Sequence, residues 1–183
     1  MQSEILIQSL IEESRQIINQ VEKLKPIDLR LLKWKDNPNS WCILECLEHL
    51  NLYGEYYFPQ IENSIKNAIS KNEIEFRSGL WGNYFAKSML PKAKLNKMKT
   101  FKDKNPLNLN LDKTVIDKFV NQQLKLIDLL NKSRNVSLNK VKISTSISSL
   151  IKLKLGDTFQ FIINHNIRHM RQIEGIKANN SNA

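Results

Sequence analysis

A histidine ring offers a neutral nitrogen that can bind a metal or carry a proton near neutral pH. The chain has three of them in 183 residues. Two, His165 and His169, stand four apart in the stretch FIINHNIRHMRQI. On a helix, residues i and i+4 lie one above the other, so both rings can aim at one point. Ile162 and Ile173 fall at helical spacing around them and turn that face inward. A buried imidazole carries one donor and one acceptor, and leaving either unpaired is costly. Two outcomes satisfy the pair: hydrogen bonds to other interior groups, or a shared metal ion. The spelling excludes one mechanism. In the H-E-x-x-H metalloprotease motif the residue after the first histidine is the general base, and here it is Asn166.

The third ring is His49 in WCILECLEHLNLYGEYY, at the flank of an apolar stripe and beside Cys46 and Tyr53. If its helix packs on the one carrying the pair, three imidazole nitrogens meet. With no fourth protein ligand, one coordination position stays open for water or substrate, as in catalytic sites. Such a donor set suits Zn, Ni or Fe. A metal so held can acidify a water or hold a thiolate as nucleophile. Cys46 lies one turn from His49 and within reach of such an ion, although a free cysteine on an apolar face is ordinarily buried and inert. Glu45 and Glu48 flank His49; Glu48 falls on the polar side and Glu45 reads as solvated, so neither is assigned as a base.

Four long amphipathic segments must position these residues. The first runs from about Ser3 to Leu24, with Leu6, Leu10, Ile17, Val21 and Leu24 on one face, and Pro26 ends it. The second, from Trp41 to about Ser70, has Asn39-Ser40 as a candidate cap and Pro59 as a candidate kink or break. Residues 71–111 have weak periodicity and predict an irregular connection with one short helix; a connection of this length is commonly functional. Within it, Gly79, Trp81 and Gly82 read as a turn that packs its indole inward. A third helix follows an Asp112 cap, with Ile116, Phe119, Gln123, Ile127 and Leu130 on one face. Residues 136–153 read as a loop or short hairpin, and the last helix spans about Gly156 to Lys177. The expectation is an all-α fold, one domain over residues 1–177, and a disordered tail over 178–183.

The 28 Lys+Arg against 18 Asp+Glu give a net charge of +10, which raises nucleic acid or an anionic ligand as a partner. The sequence is rich in Lys, Asn and Ile, however, and AT-rich codons alone supply many such lysines. Lys92, Lys94, Lys97, Lys99, Lys102 and Lys104 read either as a solvated segment or as an anion-attracting rim. Met98 and Phe101 among them fall short of the several aromatics that a single-stranded nucleic-acid surface needs. A small-molecule substrate is therefore favoured over nucleic acid. No apolar run is long enough to span a membrane, no secretory signal opens the chain, and Cys42 and Cys46 form no disulfide framework. Cytoplasmic residence with no membrane partner is expected.

Trp41 and His49 in WCILECLEHL, followed far downstream by LGDTFQFIINHNIRHMRQIE, resemble the DinB-like superfamily, a DNA-damage-inducible helical family, over roughly residues 3–176. The resemblance implies a four-helix bundle in up-down-down-up order with a long irregular crossover between the second and third helices. It puts His49, His165 and His169 in the roles of ligands to a divalent metal. Arg168 and Gln172 become supporting residues; Tyr53 and Cys46 join them through their position beside His49 rather than through the resemblance. It further implies a metal-dependent hydrolase, or a transferase using a low-molecular-weight thiol as cofactor, and a homodimer. The alternative is a non-catalytic metal-binding or stress-response module. Asn166 departs from the pattern, since relatives often carry an acid there, and no acid–base role is carried over to it.

Overall fold

A computed structural model describes residues 1–91 and 100–180. Over that span the chain is predominantly helical, with six α-helices and one small sheet. α1 (Ser3–Glu22) buries the expected Leu6, Leu10, Ile17 and Val21, and also Ile7 and Ile11. Ser14 is buried among them, its hydroxyl donating back to the carbonyl of Leu10 at 2.8 Å. A single turn, α2 (Leu29–Leu32), follows, capped by the Asp28 side chain. The main core helices are then α3 (Ile43–Lys66), α5 (Thr114–Lys132) and α6 (Leu155–Asn180). α1 and α3 each pack against both α5 and α6. Tyr57, Phe119, Phe159, Leu47 and Leu126 fill the space between them.

α3 begins later than its apolar pattern suggested. Cys42, rather than Ser40, is the cap, and Glu45 completes a capping box by accepting the Cys42 N–H at 2.8 Å. The thiol stands where serine is usual. Glu45 is not solvated: it is 1% exposed and also accepts from Lys35 Nζ at 2.7 Å and the Asn108 N–H at 2.6 Å. One carboxylate thus ties the helix start to two loops. Glu48 is buried as well, held by Lys118 Nζ and Asn51 Nδ2, each at 3.0 Å. The helix continues through Pro59 without a break. Pro59 and Glu55 are both exposed, so the carbonyl that loses its N–H partner can be met by water.

The connection after α3 holds one short helix, α4 (Leu80–Ser88), lying against α6. Its approach is pinned to the start of the chain, with Ser3 N–H on the Ile74 carbonyl at 2.8 Å and Phe76 N–H on the Met1 carbonyl at 2.9 Å. Asp157, buried at the head of α6, accepts the Gly79 N–H at 2.9 Å and the Ser78 hydroxyl, and so fastens the start of α4. Gly82 lets that carboxylate approach, because a Cβ there would collide with it. Trp81 does not pack inward: it is 69% exposed on the outer face of α4. Lys92, Lys94, Lys97, Lys99 and Met98 lie outside the described residues. Asp112 accepts the Thr114 N–H at 2.9 Å, just ahead of α5. The β-branched stretch forms β1 (Lys142–Ser144) and β2 (Lys152–Lys154), antiparallel with Ile143 opposite Leu153. α6 runs to Asn180, three residues beyond the expected end at Lys177; residues 181–183 lie outside the described span. No helix among the described residues is long and apolar enough to cross a membrane.

Candidate metal centre

His49 projects from the first half of α3 and His165 and His169 from the middle of α6, two helices in direct contact. All three are buried. The four-residue step in α6 points its two rings the same way, and their Nε2 atoms are 3.0 Å apart. His49 Nε2 is 3.2 Å from His165 Nε2. A donor nitrogen from each ring lies within 4.8 Å of the other two.

Proton placement decides what this cluster can hold. His49 Nδ1 is 2.7 Å from the carbonyl oxygen of Lys104. A carbonyl only accepts, so Nδ1 carries the proton and Nε2 is left as a lone pair facing the other rings. His165 Nε2 can then supply one proton to two close neighbours, His49 Nε2 and His169 Nε2. It cannot satisfy both. Charging the rings is no solution either. Burial pushes His49 down to about 4 and holds His165 and His169 well below the usual histidine range, with the neighbouring rings and the Arg168 guanidinium adding to the effect. Three neutral, converging imidazoles short of protons are a donor set for a cation. Two imidazole nitrogens on one zinc at about 2.1 Å stand roughly 3.0–3.4 Å apart, close to both separations here. The cluster could therefore hold a divalent metal, and among the described residues no carboxylate or thiol joins it.

The surroundings are aromatic. Trp41 stacks on His169 at 5.9 Å between ring centroids and tilts over His49 at 4.7 Å. Tyr53 lies 5.0 Å from His49 and 4.7 Å from His165, and Phe161 stacks on His165 at 6.0 Å. These rings keep bulk water from the nitrogens and fix their orientation. Burial first, and then Tyr57, push the Tyr53 phenol up to about 12, so it stays protonated at neutral pH and can donate but not act as a base.

Of the expected supporting residues, Tyr53, Arg168 and Gln172 lie by the cluster. Arg168 is buried and its charge disfavours protonation of both α6 histidines. Gln172 acts oppositely on His169, whose Nδ1 is otherwise buried without a full hydrogen bond. Cys46 is not in the donor set; it is fully buried in the apolar core, where desolvation raises its thiol well above the usual range. Asn166 is occupied, donating to Gln123 Oε1 at 3.0 Å. Sequence reasoning missed the 102–104 turn, which supplies the Lys104 carbonyl, and Asn105, whose Oδ1 accepts the Trp41 indole N–H at 3.2 Å. A main-chain acceptor has no residue-type signature, so only the Lys-rich segment around it marked the region.

A family model described as the DinB superfamily matches residues 10–173. No curated protein and no solved structure matches the chain. The match covers most of the sequence and both histidine-bearing helices: the chain belongs to the DinB superfamily.

Proposed function

We propose that this member of the DinB superfamily is a metal-dependent enzyme, a hydrolase or a thiol S-transferase, with His49, His165 and His169 as the ligands of a Zn, Ni or Fe ion. The observation that carries the proposal is the proton shortage at the cluster: the Lys104 carbonyl commits His49 Nε2 to a lone pair, and the one proton that His165 Nε2 can carry cannot serve both it and His169 Nε2. A divalent metal there would act as a Lewis acid, acidifying a water or the thiol of a low-molecular-weight cofactor. The three-residue donor set supports an open coordination position, which a purely structural site does not need.

The chain's own residues narrow the chemistry. Glu45 and Glu48, the acids nearest in sequence, are engaged by lysines and main chain. No protein carboxylate is then assigned as a general base, and the nucleophile's acidity must come from the centre itself. Tyr53 serves as a neutral donor to a substrate or leaving group. Trp41 and Phe161 form the apolar wall that excludes competing water. The mutual packing of α1 and α3 with α5 and α6 supports an up-down-down-up four-helix bundle as the frame. A homodimer and a cytoplasmic location complete the reading.

Metal analysis of protein purified without a histidine tag tests it. Wild type is expected to retain close to one equivalent of metal after dialysis, and His169→Ala to lose it. Equal metal content in the two would sink the proposal. Turnover of activated esters, amides or thiol-plus-electrophile pairs by metal-loaded wild type, and not by His169→Ala, separates an enzyme from a non-catalytic metal-binding module.

A further inference from the structure

Large apolar side chains stand exposed on α4 and on the hairpin whose second strand it packs against. Leu80, Trp81 and Tyr84 on α4 are 92%, 69% and 64% exposed, and Leu150, at the tip of the β1–β2 hairpin, is 91% exposed. Scattered exposed leucines need no explanation, but three large apolar side chains within five residues of one helix, a tryptophan among them, do. The two elements share an anchor. α4 packs on β2, the alkyl stem of Lys154 passes within 3.7 Å of where a Cβ would stand on Gly79, and its ammonium donates to the Arg77 carbonyl at 2.5 Å. Asp157 closes the same junction from α6. Gly82, Ala86 and Met89 turn toward the protein, leaving the opposite face of α4 to solvent.

The charge around this face has one sign. Residues 76–91 and 138–156 contain no Asp or Glu. Lys87, Lys142 and Lys152 are exposed along them, with Lys154 half-buried. The acids nearest in sequence are occupied: Asp157 is buried on the α4 start, Glu75 pairs with Arg77, and Glu73 pairs with Lys140. We propose that the outer face of α4 and the hairpin tip form a docking surface for an anionic lipid membrane. Tryptophan and tyrosine suit the headgroup boundary, leucines suit the acyl region, and lysines suit acidic headgroups. A second copy of the chain would bring two cationic rims together, which opposes self-association. A nucleic acid would use the lysines and the rings but has no use for exposed leucines. The lack of a spanning helix does not bear on surface binding.

Co-sedimentation of the full chain with vesicles tests the surface, using phosphatidylcholine alone and with about 30% phosphatidylserine. Binding is expected to the anionic vesicles only, to weaken in high salt, and to shift indole emission to the blue. Trp81→Ser with Leu150→Ser, and separately Lys87→Glu with Lys152→Glu, should each weaken binding by about tenfold. All four residues are exposed, so circular dichroism should show an unchanged fold. His169→Ala should bind vesicles as wild type does, which separates this surface from the histidine centre. Failure to bind anionic vesicles, equal binding to neutral ones, or full binding by the variants overturns the proposal. So does a concentration-dependent dimer, or a complex with single-stranded nucleic acid, that the Trp81 variant abolishes.

Discussion

Gly82→Ala should be among the most damaging small substitutions in the chain, although it adds one methyl group to a helix. The new Cβ would stand under 3.0 Å from three atoms of the Asp157 side chain. That carboxylate is 1% exposed and accepts from Gly79 N–H and the Ser78 hydroxyl. It has no room to retreat without dropping at least one of these bonds. A hydrogen bond to a charged group is worth about 1.5–3 kcal/mol, so losing one or two costs roughly 4 kcal/mol. The better helix propensity of alanine returns about 1 kcal/mol. The net, about 3 kcal/mol, lowers the melting temperature of a chain of this size by roughly 6–12 °C. Gly175→Ala is the matched control, because nothing lies within 4 Å of a Cβ there; it should raise stability by about 1 kcal/mol. Calorimetric melts of both variants measure the difference. A double-mutant cycle with Asp157→Ala assigns the cause, since Gly82→Ala should cost little once the carboxylate is gone. If Gly82→Ala melts within about 2 °C of wild type, or its cost is unchanged in the Asp157→Ala background, the steric argument is wrong.

Two further outcomes follow from the centre and from the connection between α3 and α4. Zinc at about a hundredfold over its dissociation constant should stabilise the protein by about 2.7 kcal/mol, read as a rise of several degrees in the melt; His165→Ala, which removes the ring common to both close contacts, should show no rise. Glu73 is held below the usual carboxylate range by hydrogen bonds from Asn139 and then Ser137. Its contribution to stability is therefore present above the unfolded-state value of about 4.3 and lost as pH falls through the lower folded value. Melts of wild type and Glu73→Gln should differ most near neutral pH and converge in acid; a constant offset down to pH 2 would refute the linkage.

Helical spacing carried most of the site. The i, i+4 step of His165 and His169 and their isoleucine neighbours are local facts, and local facts survive in a sequence. His49 was placed by the same argument on a second helix, and α3 and α6 do meet. What failed has common physics. The Gly79–Trp81–Gly82 stretch reads as a turn that packs its indole inward, but it opens a helix whose Gly82, Ala86 and Met89 face the protein and whose Trp81 therefore faces solvent. Glu45 reads as solvated from the sequence; with the cap at Cys42 rather than Ser40 it stands three residues past the cap and becomes a capping residue. The close approach of Asp157 to Gly82 joins residues 75 apart in sequence, and no pattern within either segment encodes it.

The centre is not the product of two helices alone. His165 and His169 are fixed by α6, but the lone pair of His49 is fixed by the Lys104 carbonyl on the crossover. Asn105 holds the Trp41 indole over the same rings, Lys104 Nζ stands 5.6 Å over the Tyr56 ring, and Asn108 N–H reaches Glu45 at the start of α3. Consecutive parts of one connection thus clamp the N-terminal half of α3 and select the tautomer its histidine presents. Without that carbonyl, His49 could place its proton on Nε2 and meet His165 as a donor, and its lone pair would then face away from the other two rings. The H-x-x-x-H step brings two rings together; the crossover turns the lone pair of the third toward them, a donor set that could hold a divalent metal.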